Sequence, residues 1–343
     1  MKIFYGVQGT GNGHITRARV MAKALYAAGI EVTFQFTGRP ADKYFDMEIF
    51  KDYQTKAGLT FSIDKGKINL CKTVFAANPI RFIKEVNSLD LSNYDLVITD
   101  FEPITAWAAK KQKKPTLGIG HQYAFQYDIP RQGKDFAAEQ VMKYFAPADK
   151  SIGLHWHHFG QPIFPPVIET NASTQKIDNK ILVYLPFEDS QDVIDLLAPF
   201  VDFTFHVYSP EPVPSKFDHI ICYPLSREGF QQNLSDCEGI ISNSGFELAS
   251  ESVQLGKKIL AKPIHGQMEQ HANAAALEQL GYGQVMQDLD ANIIERWLQD
   301  ASAVRVIYPD TAKVIVDWIQ NGMPDMTSEF IAGVWNTVKV EQI

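Results

Sequence analysis

Polar and charged side chains recur at fixed distances in residues 238–283, after a short apolar strand predicted at 239–241. The next four residues, Ser-Asn-Ser-Gly, turn the chain into a helix, because they accept turn dihedrals and cap exposed amides. Such a helix start attracts an anion, since its free N–H groups and the positive end of its dipole point outward. The spacing therefore predicts that Ser244 and Gly245 bind an anion, most simply a diphosphate.

Further polar residues follow at distances that suit a nucleotide sugar. Glu251 lies six residues after Gly245, within reach of a ribose whose phosphates bind at the helix start. A second strand at 258–261 leads to another helix that opens with Glu269 and Gln270, an acid and an amide that can hydrogen-bond neighbouring sugar hydroxyls. The alternative is an ordinary β–α–β unit in which these side chains are solvated.

A glycine-rich turn follows the first predicted strand and reads Gly6-Val7-Gln8-Gly9-Thr10-Gly11-Asn12-Gly13-His14. The run suggests a dinucleotide fingerprint, but histidine stands where the third glycine of that motif belongs. The second strand also ends without the acid that would hold a ribose. We therefore expect the glycines to let the backbone approach a bulky ligand, with His14 at the first helical turn.

His14 is the strongest candidate for catalysis, because a neutral imidazole can take a proton from an acceptor hydroxyl. Asp100 ends a predicted strand, and strand ends line the ligand crevice of an open α/β sheet, so its carboxylate could orient the ring. Glu102 is an adjacent competitor for that role. In the alternative, His14 caps its helix or contacts a phosphate.

The run SG-x5-E-x4-G-x6-P-x5-EQ-x2-NA resembles the donor site of GT-B glycosyltransferases, especially the lipid II-forming N-acetylglucosaminyltransferases and the UDP- and macrolide-glycosyltransferases. The glycine turn with His14 and Arg17 resembles the GNGHxxR segment of one branch of bacterial and archaeal GT-B proteins. The resemblance implies that Glu251 holds the ribose and that an acid–glutamine pair holds the donor sugar. It also implies that Asp100 forms a dyad with His14.

Two sets of site residues and a catalytic pair are thus predicted. The donor-binding set is Ser242, Asn243, Ser244, Gly245, Glu251, His265, Gln267, Glu269, Gln270 and Asn273. The set lining the acceptor and phosphate cleft is Gly11, Asn12, Gly13, Arg17, Glu102, His121 and Gln122. For His121 and Gln122, which follow the fifth predicted strand, packing is the alternative. The catalytic pair is His14 with Asp100.

Strands alternate with helices along the chain, which is typical of doubly wound α/β proteins. The resemblance implies GT-B architecture, with two Rossmann-like domains facing across a cleft. We predict an acceptor-binding domain at 1–160, a linker at 161–178, a donor-binding domain at 179–322, and a C-terminal helix at about 323–343 that packs back on the first domain. Predicted strands of the first domain are 2–7, 31–37, 59–63, 95–99, 116–119 and 150–154, and its predicted helices include 15–28, 79–86 and 104–111.

Composition and charge bound the function further. With 343 residues and 45% hydrophobic composition, the chain can form two domains, each with its own core. Three cysteines without CxxC spacing suggest reduced thiols in a cytoplasmic protein, and the first apolar run is too short for a signal peptide or a membrane span. Nucleic-acid binding is not expected, because basic runs interleaved with aromatic residues are missing.

Charge is distributed unevenly between the two halves. Residues 1–150 contain 21 Lys and Arg against 15 Asp and Glu, a net +6, whereas residues 151–343 contain 11 against 25, a net −14. The basic half suits an anionic acceptor or peripheral contact with an anionic membrane, and residues 65–75 mix basic and apolar side chains in a way that suits such an interface. The alternatives are an ordinary solvated surface and an ordinary loop that covers the cleft.

The chemistry expected is inverting, metal-independent transfer of a sugar from a nucleoside diphosphate, with UDP favoured, to a hydroxyl acceptor such as a lipid or cell-envelope glycan. We interpret the chain as having no DxD triplet anywhere, which favours a helix dipole over a metal ion or other cofactor at the leaving diphosphate. In the segment 238–283, Glu247 and Glu251 are four apart, rather than seven as in many retaining GT-B enzymes. The histidines at 155, 157 and 158 lack spaced partners and are expected to be structural. Alternatives are a UDP-sugar 2-epimerase of the same fold and a non-catalytic nucleotide-sugar-binding protein.

Overall fold

Two sheets of parallel strands, each covered by helices, make up the chain. The structure is a computed structural model, and it describes residues 1–59, 63–64, 67–68, 78–131, 140, 143–169, 176–300 and 302–343. Within these residues each large sheet has six strands, whose order, numbered within that sheet, is 3-2-1-4-5-6. This is the order of doubly wound nucleotide-binding folds, so the predicted α/β class with two Rossmann-like units is confirmed.

The first sheet is built from strands that alternate with helices, numbered here in chain order. Its strands are β1 (Lys2–Gln8), β2 (Glu31–Thr37), β3 (Gln54–Lys56), β6 (Leu96–Asp100), β7 (Thr116–Gly120) and β8 (Lys150–Gly153), and a short antiparallel pair, β4 (Ile63–Asp64) and β5 (Lys67–Ile68), lies outside it. The helices are α1 (Asn12–Ala27), α2 (Pro79–Ser88) and α3 (Pro103–Gln112), and a 3-10 segment, His121–Gln126, follows β7. The edge strand β3 was not predicted, and the predicted strand at 59–63 falls largely outside the described residues.

The second sheet repeats this arrangement. Its strands are β9 (Lys180–Tyr184), β10 (Thr204–Ser209), β11 (Ile220–Pro224), β12 (Gly239–Asn243), β13 (Lys258–Lys262) and β14 (Gln284–Val285). Its helices are α4 (Ser190–Leu197), α5 (Arg227–Asp236), α6 (Phe246–Gln254), α7 (Met268–Leu280) and α8 (Ala291–Gln299).

Strand register brings the two predicted catalytic residues to one edge of the first sheet. Val7 of β1 pairs with Asp100 at the end of β6, so the turn that leads into α1 begins beside that carboxylate. In the second sheet, Asn243 pairs with Lys262, and α6 and α7 therefore begin close together. In each sheet the carboxyl ends of the central strands carry the helix starts that the sequence singled out.

The two units share an apolar core where they meet. The largest buried cluster includes Ile15 of α1, Trp156, and Phe246 and Val253 of α6. The Trp156 and Phe246 rings stack with centroids 5.2 Å apart, and Nε1 of Trp156 donates to the hydroxyl of Ser250 at 2.8 Å. Each unit also has a buried cluster of its own, as expected, and the cluster that includes α6 is shared by both units.

A single helix was predicted at about 323–343, but the end of the chain contains strands as well as helices. It forms β15 (Val304–Ile307), α9 (Thr311–Gln320), α10 (Ser328–Trp335) and β16 (Lys339–Gln342). This segment contacts the first unit, since Nζ of Lys150 donates to the carbonyl of Met323 at 2.6 Å and the Trp335 and His158 rings lie with centroids 5.4 Å apart. The chain then crosses back, and β16 pairs antiparallel with β15.

Two observations bear on the predicted membrane contact. Apart from Lys67–Ile68, the basic and apolar stretch at 65–75 lies outside the described residues. In the part of the chain that the structure describes, no helix has both the length and the apolar character needed to cross a bilayer.

A glycine in β8 fixes the 3-10 segment that carries His121 and Gln122. A Cβ added at Gly153 would lie 2.7 Å from the backbone N and Cα atoms of Ala124. Backbone atoms cannot rotate away from such a contact, so the whole segment would have to shift. Gly153 therefore sets where these two polar side chains lie.

We expect Gly153→Ala to destabilise the protein by about 1–3 kcal/mol, the cost typical of overpacking a tight core. Gly333→Ala is the matched control, because a Cβ at that position in α10 meets nothing within 4 Å. Removing a helical glycine should be neutral or stabilise by about 0.5–1 kcal/mol. Urea unfolding of the two variants checks this, and equal midpoints for both would contradict the close packing described.

Candidate active site

Three helices that begin at the crevice have no side-chain cap. They are α1, α6 and α7, whose N-cap residues Gly11, Gly245 and Gln267 make no side-chain hydrogen bond to the first turn. The other described α-helices are capped by Asn78, Glu102, Asp189, Ser226, Asp290, Asp310 and Thr327. Uncapped amides at a crevice can bind an anionic ligand.

The space in front of two of these starts is open. A Cβ added at Gly11 or Gly245 would meet nothing within 4 Å, whereas one at Gly13 would lie 2.9 Å from Cγ of Glu247. Asn12 lies between these glycines, where its Oδ1 accepts from Nη1 of Arg39 at 3.1 Å. The two glycine turns thus leave room for a ligand, and Gly13 instead lets the second unit approach α1.

Four buried polar atoms near the start of α6 have no hydrogen-bond partner among the described residues. They are Oγ of Ser244, Oδ1 of Asn243 and Oε1 of Gln267 in the second unit, and Oε1 of Gln122 across the crevice. Leaving a buried polar atom unpaired costs about 1–3 kcal/mol, which a bound ligand can recover. Ser242 precedes them as a buried strand residue. The hydroxyl of Ser244 can donate to a phosphate oxygen, as the predicted anion site requires.

The structure brings His14 and Asp100 together. Nδ1 of His14 lies 2.7 Å from Oδ1 of Asp100, and the His14 side chain keeps 15% exposure while the aspartate is fully buried. With its proton on Nδ1, the ring donates to the carboxylate and Nε2 is left as a proton acceptor. Burial alone would raise the pKa of Asp100, but the charge of Arg17, with His14, outweighs burial and holds that pKa below its ordinary value.

Arg17 was predicted to line the acceptor and phosphate cleft. It instead lies buried between the two units. Its Nε and Nη2 donate to the two carboxylate oxygens of Asp100 at 2.8 and 2.6 Å. Its Nη1 donates to Oε1 of Glu247, in the first turn of α6. The contact between Glu247 and Arg17 was not predicted, because the two residues are 230 positions apart and no local pattern relates them.

Glu102 is not a cleft residue either. Its fully buried carboxylate accepts from the backbone N–H groups of Ile104 and Thr105 at 2.8 and 2.7 Å, and so caps α3. The hydroxyl of Thr37 also donates to it. Burial raises the pKa of Glu102, and these bonds reduce the effect. Asp100 rather than Glu102 therefore contacts His14.

His121 and Gln122 connect the units instead of lining the acceptor cleft. The His121 ring donates from Nδ1 to the carbonyl of Leu154 at 2.8 Å, while its Nε2 lies 2.6 Å from Oδ1 of Asn273. The ring also stacks on Phe246 with centroids 4.1 Å apart. Nε2 of Gln122 donates to both carboxylate oxygens of Glu269 at 3.1 Å.

The remaining predicted donor residues lie around the start of α7. Asn273 is fully buried and donates to the carbonyl of Ser244 at 2.9 Å, which joins the starts of α6 and α7. Oε1 of Gln270 accepts from the N–H of Ile264 at 2.9 Å, so one end of this amide is already bonded. His265 contacts Asp288 at 3.0 Å.

Glu251 lies at a cavity of about 90 Å³ between the units. The lining residues are Thr16, Glu169, Arg227, Gln231, Glu251, Gln254 and Leu255. Nε2 of Gln231 donates to Glu251 at 3.2 Å, and desolvation by the surrounding protein raises the pKa of Glu251 to about 7. Arg227 and Gln231 were not predicted as site residues, although their four-residue spacing puts them on one face of α5.

No described group of three or more His, Cys, Asp or Glu side chains is arranged to hold a metal ion. His155, His157 and His158 each accept a backbone N–H of their own turn, at 2.8–2.9 Å. The interpretation that the chain has no DxD triplet is wrong, because one occurs at 288–290, outside the donor segment. Its second aspartate, Asp290, caps α8 with the side-chain oxygen.

Comparison with known proteins gives related sequences and structures. An uncharacterised glycosyltransferase of Methanosarcina acetivorans is 25% identical over 330 residues, covering 83% of this chain and 84% of that protein. A glycosyltransferase of kitacinnamycin superposes with a TM-score of 0.60 at 12% identity, over 94% of this chain and 99% of the other. MurG of Acinetobacter baumannii superposes with a TM-score of 0.54 at 13% identity, over 93% of this chain and 99% of MurG. VinC, solved in complex with dTDP, superposes with a TM-score of 0.51 at 13% identity, over 98% of this chain and 99% of VinC.

The sequence profile described as Glycosyl transferase family 1 matches residues 1–301, most of the chain. That profile describes a transferase, rather than the epimerase or the inactive binding protein left open by the sequence. The solved structures share the pair of facing Rossmann-like units that defines the GT-B fold. The chain therefore belongs to glycosyl transferase family 1 and is a glycosyltransferase of the GT-B fold.

Proposed function

We propose that the protein is an inverting, metal-independent glycosyltransferase that moves a sugar from a nucleoside diphosphate, with UDP favoured, to a hydroxyl acceptor. The observation that carries the proposal is the position of the His14–Asp100 pair. Through Arg17 it is joined to Glu247, in the first turn of the helix whose uncapped start suits a diphosphate. A proton acceptor and a leaving-group site thus face one another across the crevice.

The donor side of the proposal rests on α6 and on the cavity beside it. Ser244 and the first amides of α6 would bind the diphosphate, and Glu251 would accept hydrogen bonds from the ribose hydroxyls. Glu269 and Gln270 would bind the sugar, which requires Glu269 to exchange its bond with Gln122 for a sugar hydroxyl. The dTDP bound by VinC supports a pyrimidine nucleoside diphosphate.

In the proposed step, Nε2 of His14 takes the proton of the acceptor hydroxyl as that oxygen attacks the anomeric carbon. The new C–O bond forms as the bond to the diphosphate breaks, and the nucleoside diphosphate leaves with the electron pair. The dipole of α6 and the hydroxyl of Ser244 stabilise the charge on the departing oxygen. A single displacement of this kind inverts the anomeric centre.

Two observations support metal independence. The donor segment lacks a DxD triplet, and in the triplet at 288–290 the second aspartate, Asp290, is engaged as the cap of α8. An uncapped helix start supplies positive potential at the diphosphate without an ion.

The acceptor side is the first unit. A cavity of about 490 Å³ at the carboxyl ends of β2 and β3 is lined, among the described residues, by the cationic side chains of Arg39, Lys56 and Arg81, and the carboxylate of Glu85 accepts from the N–H groups of Ala57 and Gly58 at its wall. This supports an acceptor with an anionic group, for which a lipid phosphate or a cell-envelope glycan fits the charge. A cytoplasmic location and peripheral contact with an anionic membrane are part of the same proposal.

The direct test incubates the pure protein with UDP-, dTDP- and GDP-sugars and measures thermal shift and nucleotide release, with and without EDTA. We expect UDP-sugars to give the largest shift and EDTA to leave it unchanged. A shift that depends on added divalent cation would contradict metal independence. No shift with any nucleotide sugar would contradict the donor site.

Glu251→Ala should weaken binding of a UDP-sugar by about 1–3 kcal/mol, the range for lost hydrogen bonds to a charged group. Glu278→Ala, at an exposed position of α7, is the control and should bind normally. Isothermal calorimetry measures both. Unchanged affinity in folded Glu251→Ala would show that the carboxylate does not hold the ribose.

The same carboxylate should make donor affinity depend on pH. Glu251 titrates near pH 7, and only its ionised form accepts both ribose hydroxyls. Affinity should therefore rise about tenfold between pH 6 and pH 8, as linkage to one proton requires. A nucleotide sugar is the right probe, since its diphosphate diester does not titrate there. Glu251→Gln should remove the pH dependence.

His14→Ala should lower turnover about 10²–10⁴-fold and leave donor affinity nearly unchanged, because the base interacts most strongly in the transition state. Asp100→Asn should act in the same direction. The double variant should be little slower than His14→Ala alone, as for residues that act as one unit. Multiplicative losses in steady-state kinetics would instead mean that Asp100 works separately, and near-normal turnover of His14→Ala would remove the base assignment.

A further inference from the structure

Behind His14 lies a buried cluster of charges contributed by both units. The side chains of Arg17, Asp100 and Glu247 are 2%, 0% and 7% exposed. Water therefore screens their charges weakly, and each charge acts on its neighbours more strongly than at the surface. Nη2 of Arg17 lies 3.0 Å from Nδ1 of His14, so the cluster is in direct contact with the proposed base.

The charges of this cluster do not balance while His14 is neutral. One guanidinium faces two carboxylates, which leaves one negative charge. The charge of Asp100 is neutralised by Arg17, whose Nε and Nη2 donate to both carboxylate oxygens. The excess negative charge is therefore supplied by Glu247, and protonation of His14 would bring the cluster to neutrality.

Glu247 reaches the cluster only because the two units are docked. It belongs to α6 of the donor unit, and Cγ of Glu247 lies so close to Gly13 that no Cβ fits there. The other titratable groups that act on Arg17 are Tyr5, Tyr123, His121 and Glu269. Of these, only Glu269 comes from the donor unit.

We propose that Glu247 and Arg17 are positioning residues that tie the proton-accepting strength of His14 to the docking of the donor unit. Docking adds the Glu247 charge to the cluster and so stabilises the imidazolium that forms during transfer. Separation of the units removes that charge and leaves Asp100 neutralised by Arg17. The inference rests on the proposed function for its use in catalysis, but its electrostatic content is independent of any substrate.

Glu247→Gln is the variant that isolates the charge. Its amide oxygen can still accept from Nη1 of Arg17, and the amide nitrogen would take the place of Oε2, which has no hydrogen-bond partner among the described residues. Packing of α6 against Gly13 is unchanged in shape. Glu251→Gln, one turn further along α6, is the matched control that removes a carboxylate without touching Arg17.

The test follows the ring signals of His14 by NMR as pH is varied in the wild-type protein and in both variants, with signals assigned by comparison with His14→Gln. In Glu247→Gln, His14 should titrate about half a pH unit or more below the wild type, because a nearby negative charge has been removed. Glu251→Gln should titrate as the wild type. An unchanged His14 titration in folded Glu247→Gln would overturn the proposal, even if its unfolding temperature fell.

A second variant keeps every charge and changes only docking. In Gly13→Ala the added Cβ must push Glu247 away, so His14 should again titrate at lower pH. The same titration as the wild type would count against docking as the link.

With an active donor, Glu247→Gln should lower kcat while UDP affinity is kept or improved, since a negative charge beside the diphosphate site is gone. The NMR measurements need no substrate. They can therefore contradict the role of Glu247 while the proposed transfer reaction stands, and they can support that role even if no sugar transfer is found.

Discussion

A positive charge buried at the contact between the two units constrains most of the structure around it. An unpaired ion with so little exposure costs several kcal/mol, so Arg17 must be neutralised where it lies. Asp100 belongs to the same unit as Arg17, and Glu247 belongs to the other unit. The orientation of the His14 ring, the first turn of α1 and the position of α6 are thereby fixed relative to one charge.

The surfaces that would bind the donor are the same surfaces that hold the units together. Glu269 of the second unit is bonded to Gln122 of the first, and Asn273 contacts His121. Within the second unit, one end of the Gln270 amide is also bonded to Ile264. A donor sugar must therefore exchange these protein partners for its own hydroxyls. Such exchange favours a ligand whose hydroxyls reproduce the lost bonds and disfavours one that leaves a buried acid or amide unpaired.

Local pattern was enough to predict much of this arrangement. Alternation of strands and helices gave the two doubly wound sheets, and the rule that strand ends converge brought His14 to Asp100 across 86 residues of sequence. Glu102 could not be separated from Asp100 by pattern, because its carboxylate turns back to cap α3 only once that helix has formed. The burial of Arg17 depends on Glu247, and no local rule relates the two. Short strands such as β3 and β16 lack the length for a periodic signal.

The small cavity beside Glu251 has a consequence for donor affinity. Ligand sites for small molecules usually enclose about 300–1,000 Å³, several times the 90 Å³ present here. If Glu251 holds the ribose as proposed, the residues that line this cavity have to move apart from the arrangement described here. The free energy of that movement is then subtracted from the affinity that the donor contacts alone would give.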